Sequence, residues 1–154
     1  MYRLSILLIL FVLVSCGKDD HLAEDGKAYI FGHFFGECFG EQCVEIFKLQ
    51  DGSIFEDTND QYPSINGNTY NWSEMTGVEF EELEALIFPI PDELYEEEDV
   101  VIGMPDAGDW GGIYFQVHSD VDVQFWIIDY LDDNIPDYLS DFTADIKQAI
   151  EQLP

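Results

Sequence analysis

The sequence predicts an α+β domain, an antiparallel sheet of about four to six strands with two helices packed on one of its faces. Three observations carry this. Apolar residues alternate with polar or smaller ones through Ile113, Phe115 and Val117, and again through Val121, Val123, Phe125 and Ile127. That period of two marks strands. Ile135, Leu139, Phe142, Ile146, Ile150 and Leu153 recur at steps of three and four, which sets them on one stripe of a helix. Along the chain the elements succeed one another as strands, helix, strands, helix.

The first strand is 28–35 (AYIFGHFF), rich in aromatics, and the second is 43–49. Asp51-Gly52 then predicts a hairpin into Ile54-Phe55, because glycine takes positive φ at little cost. Residues 57–72 are crowded with Asn, Asp and Tyr and read as a long loop around Asn66-Gly67. Thr76 and Glu79 have the spacing of a capping box and predict a helix start there. Val78, Leu83, Leu86 and Ile87 give that helix an apolar side, and Pro89 and Pro91 end it. Ser119-Asp120 is the turn between the two alternating segments. Pro136 suits the first turn of the last helix, where its missing N–H is no loss.

The chain has 154 residues, with 33 acids against five lysines and arginines, and a formal charge of −28. A nucleic-acid partner is excluded, since phosphate contacts need a basic footprint. The acids also repel an anionic membrane surface. Disorder would require few aromatics, whereas this chain is 47% hydrophobic and 15% aromatic. A real core can form, and the acids coat it. Partners should be basic proteins, cations or apolar surfaces, and nothing points to a homo-oligomer.

Arg3 precedes an apolar run, residues 4–14, broken only by Ser5. A membrane-spanning helix needs roughly 20 residues, so this run is too short and reads as a secretory leader. Leu13-Val14-Ser15-Cys16 resembles the lipobox of bacterial lipoproteins, which implies cleavage before Cys16 and lipid attachment to it. Cys16-Gly17-Lys18-Asp19-Asp20 is similar to the surface-export signal of Bacteroidota lipoproteins, with Lys18, Asp19 and Asp20 as the signal residues. Residues 1–15 are then the signal peptide, 16–27 a lipidated tether and 28–154 a single domain. Removing the leader takes Arg3 and no acid, so the formal charge becomes −29. The implied location is the outer membrane, facing outward, with the periplasmic side as second choice. The membrane link runs through the lipid alone.

A further resemblance lies in Cys38-Phe39-Gly40-Glu41-Gln42-Cys43, then Ile46 and Leu49, then Asp51-Gly52. It resembles a group of uncharacterised bacterial domains that open with Cys-Phe-Gly-x-Cys, a strand and an Asp-Gly turn. Their second half has a helix near "EELEAL", a strand pair and a closing helix, matched here by Pro136, Leu139 and Phe142. This chain has four residues, not three, between its cysteines. The resemblance covers residues 28–153 and implies an α+β lipoprotein domain with no assigned activity.

Few residues offer chemistry. Cys38 and Cys43 are expected to form a disulfide in an oxidising compartment, and their separation can meet its geometry. Asp129, Asp132, Asp133, Asn134 and Asp137 resemble an acidic phrase of calcium-binding repeats. Calcium, held by Asp129, Asp132, Asp133 and Asp137, is the one candidate cofactor, and capping of the last helix by Asp133 or Asn134 is the competing reading. Asp106, Asp109 and Trp110, together with the loop residues Tyr62, Tyr70 and Trp72, are the candidate binding residues. No catalytic elbow, phosphate loop or His-Glu-x-x-His is present, so no catalytic residue is assigned. The expected function is a non-enzymatic binding or structural module. The alternatives are an inhibitor-like domain, or an acid- or metal-dependent hydrolase using Asp106, Asp109 and His118.

Overall fold

The computed structural model describes residues 26–88 and 90–154. The leader, Cys16 and the Lys18-Asp19-Asp20 signal lie outside the described residues. Ten elements follow in order: β1 (Ala28–Phe34), β2 (Val44–Gln50), β3 (Ser53–Asp57), β4 (Trp72–Glu74), α1 (Phe80–Ile87), α2 (Asp92–Tyr95), β5 (Val101–Ile102), β6 (Gly112–His118), β7 (Val123–Asp129) and α3 (Ser140–Glu151). The strands form one sheet in the order β4-β3-β2-β1-β6-β7-β5. Neighbours are antiparallel except β5, which runs parallel to β7.

This corrects the expected four to six antiparallel strands and two helices. Among the described residues the sheet is mixed, with seven strands and three α-helices. β4 and β5 are too short to show a period of two, and α2 is one turn between acids. The alternating segments are real strands, but their turn is wider than Ser119-Asp120. The Ser119 N–H donates to the Asp122 carbonyl at 2.9 Å, so Val121, 94% exposed, belongs to the turn.

The register explains the core. Phe31 pairs with Phe47 on one side and Phe115 on the other, and Phe115 in turn pairs with Trp126. These residues, with Tyr29, Leu49, Ile113 and Ile128, point to the helices, where Leu83, Ile87, Leu94, Leu139, Phe142 and Ile146 meet them. The Phe115 ring lies 6.1 Å from Trp126 in a stack and meets Phe142 edge-on at 4.9 Å. Each such side chain contributes about 1.5–3 kcal/mol by leaving water.

The opposite face is apolar too. Ile30, Phe34, Val44, Ile46, Tyr114 and Ile127 form a second buried cluster, with Tyr70, Trp72 and Phe125 packed against it. Gly32 permits this layer to close, because a Cβ there would stand 2.0 Å from the Glu45 carbonyl and 2.8 Å from the Ile46 side chain.

Two helix starts differ from expectation. Thr76 caps nothing: α1 begins at Phe80, and Glu79 before it makes no side-chain cap bond. The Met75 N–H is held by the Ile54 carbonyl at 2.8 Å, and Gly77 turns the chain at φ 84°, so the helix cannot start earlier. Likewise α3 begins at Ser140, after 3-10 turns at 132–134 and 137–139, so neither Asp133 nor Asn134 caps it. Ile135 and Leu139 are nevertheless buried, as the stripe requires.

Replacing Phe115 by Ala should destabilise the domain by about 3–5 kcal/mol, the cost of a large cavity in a closed core. Val121→Ala, at the exposed hairpin tip, should change it by no more than about 0.5 kcal/mol. Urea unfolding of the two variants checks both.

Candidate functional site

Among the described residues no helix covers the second face of the sheet; the long loop between β3 and β4 does. Irregular chain over an apolar surface must find partners for its own N–H and C=O groups. Asp57, the buried last residue of β3, supplies the first. Its Oδ1 accepts from the Asn71 N–H at 2.6 Å and the Asn59 N–H at 3.2 Å, closing the loop at its neck. The Thr58 N–H donates to the Asn71 carbonyl, the Asn59 amide to the Thr69 carbonyl, and the Ser64 N–H to Asn68 Oδ1. Farther out, the Tyr62 hydroxyl donates to Asp106 Oδ2 at 2.8 Å while its ring meets Phe34 edge-on. Burial and the Asp106 carboxylate push the Tyr62 phenol up to about 12.

The cover is incomplete. Beyond it a cleft of about 490 Å³ opens over the starts of β1 and β7 and the ends of β2 and β6. This size is that of a small-ligand site. Ile30, Lys48, Tyr114 and Gln116 line it from the sheet, Tyr70 and Trp72 from the loop and β4, and Phe125 and Val123 from β7. The Tyr70 and Trp72 rings stack at 4.7 Å. His118, Ser119 and Asp120 form part of the lining near the hairpin, and the chain passes it at Gly26 and Ala28.

A neutral hydrogen-bond network lies across its floor. The Tyr114 hydroxyl donates to Gln116 Oε1 at 2.6 Å, and the Tyr70 hydroxyl lies 3.2 Å from the Tyr114 oxygen and 3.3 Å from Gln116 Oε1. The Asn68 amide donates to the Tyr70 oxygen at 3.4 Å. Burial raises both phenol pKa values, helped at Tyr114 by the bond with Tyr70, so both stay protonated. The Lys48 ammonium sits 4.3 Å from the Phe55 ring centre and 5.0 Å from that of Trp72, and donates to Gln50 Oε1 at 3.0 Å. Burial lowers its pKa, partly offset by Asp51.

The candidate binding residues divide. Tyr70 and Trp72 line the cleft, and Tyr62 meets Asp106 as a clasp. Asp109 and Trp110 are exposed beside the start of β6, at the other end of the sheet. The loop 106–111 is closed on itself: Asp106 Oδ1 accepts from the Gly111 N–H at 3.0 Å, and the Asp106 N–H donates to the Gly111 carbonyl at 2.7 Å. Gly111 and Gly112 do not open room for a ligand. A Cβ on either would stand 2.2–2.3 Å from a ring atom of Phe34 or Phe35, so those rings fill the space. His118 lies at the far end of β6, roughly 20 Å of strand from Asp106 and Asp109. The residues of the hydrolase alternative are therefore not gathered.

Cys38 and Cys43 are bridged, with Cα atoms 5.5 Å apart, at the loop between β1 and β2. His33 sits just before that loop, half-buried. Its ring donates to the Gln42 carbonyl at 3.2 Å, and burial holds its pKa below the usual value against the pull of Glu45. Asp129, buried at the end of β7, accepts from the Met104 and Leu131 N–H groups and the Asn134 amide at 2.9–3.0 Å. Asp132 pairs with Lys147 at 2.8 Å, and Asp133 and Asp137 are exposed. Among the described residues no three His, Cys, Asp or Glu side chains come together as a metal group.

Lys48, Tyr114, Gln116 and Phe125 are cleft residues that the local sequence pattern does not flag. Tyr114 and Gln116 occupy the alternate positions of β6, which a one-sided strand would give to solvent, yet they are 1% and 7% exposed. A glutamine inside an apolar run is the available signal. No protein-family model, no curated protein and no solved structure matches this chain.

Asp57→Ala should open the neck of the loop. Hydrogen exchange at the Asn59 and Asn71 amides should accelerate at least tenfold, and global stability should fall by about 1.5–3 kcal/mol, as for lost bonds to a charged acceptor. Amide exchange followed by NMR, beside urea unfolding, reads both.

Proposed function

We propose that this chain is a lipoprotein anchored through Cys16 to the outer membrane, facing outward, and that its domain is a non-enzymatic module binding a small ligand in the cleft on the second face of the sheet. The observation that carries the reading is the cleft itself. It joins aromatic side chains to a few convergent polar groups in a volume suited to a small molecule, the combination that ligand sites share. The lipobox-like residues 13–16 and the Lys18-Asp19-Asp20 stretch support the anchor and its direction. The acidic surface keeps such a module soluble and repels anionic lipid. No helix among the described residues is long and apolar enough to cross a membrane, so the lipid carries the attachment in this reading.

Three measurements test it. In a lipoprotein-processing Gram-negative host, the wild type should partition into the detergent phase and Cys16→Ser into the aqueous phase. Substitution of Lys18, Asp19 and Asp20 by Ala should reduce cleavage by protease added to intact cells while leaving detergent partitioning unchanged. For the cleft, a thermal-shift screen of the full protein against a metabolite library should yield ligands whose shift is lost in Gln116→Leu. A library in which every stabilising compound acts equally on wild type and Gln116→Leu would refute the cleft as a binding site.

A further inference from the structure

The cleft differs from the rest of the molecule in charge. The chain carries 33 acids, yet among the described residues Asp120 is the single acid in the cleft's lining. The one ammonium in that lining, Lys48, is already turned onto the Phe55 and Trp72 rings and bonded to Gln50. These facts sort the ligand classes. An anion would have to approach through the field of a chain of formal charge −28 and would meet a cation that is engaged elsewhere. A cation seeking aromatic faces would find Lys48 in that role at Trp72 and be repelled by it. Both charged classes are disfavoured.

The neutral groups select further. The Tyr70 and Tyr114 hydroxyls and the Asn68 and Gln116 amides place donors and acceptors side by side on the floor. Gln116 Oε1 is taken by the two phenols, which leaves its NH₂ group to donate. A ligand bearing several neutral hydroxyls, each both donor and acceptor, matches such a floor. Tyr70, Trp72 and Phe125 supply the aromatic side. An aromatic face is negative, so it attracts C–H groups polarised by neighbouring oxygens, as on a sugar ring.

Resting on the reading of the cleft as a ligand site, we propose that its ligand is a neutral saccharide unit, free or at the end of a glycan chain. Phe125 provides the stacking surface, with the Tyr70–Trp72 stack as a wall beside it, and the Gln116 and Asn68 amides provide the hydrogen bonds.

The test uses the full protein in a zwitterionic detergent without a sugar headgroup. Four neutral disaccharides (cellobiose, maltose, lactose and N,N′-diacetylchitobiose) are titrated while tryptophan fluorescence and calorimetric heat are followed. Glucuronate, choline and adenine serve as anionic, cationic and flat heterocyclic comparisons. Immobilised neutral oligosaccharides form a separate arm that distinguishes a chain-end ligand from a free sugar. At least one neutral sugar, free or immobilised, should bind, and its affinity should fall tenfold or more in Phe125→Ala and in Gln116→Leu. Trp110→Phe, at the other end of the sheet, should bind as wild type and serves as the folded control. Near-UV circular dichroism checks that the cleft variants keep their fold, and Tyr114→Phe offers a milder variant should either unfold. If choline, glucuronate or adenine binds in a Gln116-dependent way and no neutral sugar does, the saccharide assignment is overturned while the binding module stands. If nothing in the panel binds but the metabolite screen finds a Gln116-dependent ligand of another class, the assignment falls in the same way. If neither finds one, both readings fall.

Discussion

A sheet that is apolar on both faces, with helices on only one of them among the described residues, is the constraint from which the rest follows. In the two central strands, consecutive residues are buried toward opposite sides: Ile30 beside Phe31, Tyr114 beside Phe115. The helices take one set. The other must be covered by chain without regular structure, and such chain carries polar backbone groups onto an apolar surface. The polar loop between β3 and β4 resolves this by using its own Asn, Thr and Ser side chains as hydrogen-bond partners. Its composition, which looks like that of a solvated linker, is what allows it to lie flat on aromatics.

Such a cover ends where its bonds end. The loop is pinned at its neck by Asp57 and at its far reach by the Tyr62–Asp106 bond. Past Tyr70 it leaves the strand ends near Ala28, Gln50 and His118 uncovered, and that gap is the cleft. Polar atoms could be placed at its floor without an unpaired one being buried, because Gln116 and the two phenols satisfy each other. The cleft and the loop are thus one consequence of the same shortage of helix.

The sequence made the first half of this visible. The aromatic run at β1, the Asp-Gly turn, the alternation through Ile113, Phe115 and Val117 in β6, the part of the last stripe that lies in α3 and the cysteine pair all found their places, because each is a local pattern. The missing half is non-local. Reading β6 as one-sided assigns Tyr114 and Gln116 to solvent, although AYIFGHF and GIYFQVH are nearly continuous apolar runs, the sign of burial on both faces. β4 and β5 exist only through partners already in the sheet, and three or two residues carry no period. The Tyr62–Asp106 clasp joins residues 44 apart, with no local trace. Tyr70 and Trp72 were legible as functional candidates, since aromatics in a polar loop need a reason, but the floor they face was not.

Asp57 and Asp129 show what two of the acids do inside the fold. Each is the last residue of its strand, β3 or β7, and each is buried. Each accepts from the N–H two residues on, Asn59 or Leu131, and from a remote backbone N–H, Asn71 or Met104. The same device is used twice: a carboxylate at a strand end collects the donors that the sheet no longer pairs. At Asp129 the side-chain amide of Asn134 adds a third donor, so both carboxylate oxygens are engaged by N–H groups. Those bonds occupy three of the roughly four acceptor sites that a carboxylate offers. Within the acidic phrase at 129–137, Asp129 and the Asp132–Lys147 pair fasten the chain between the sheet and α3.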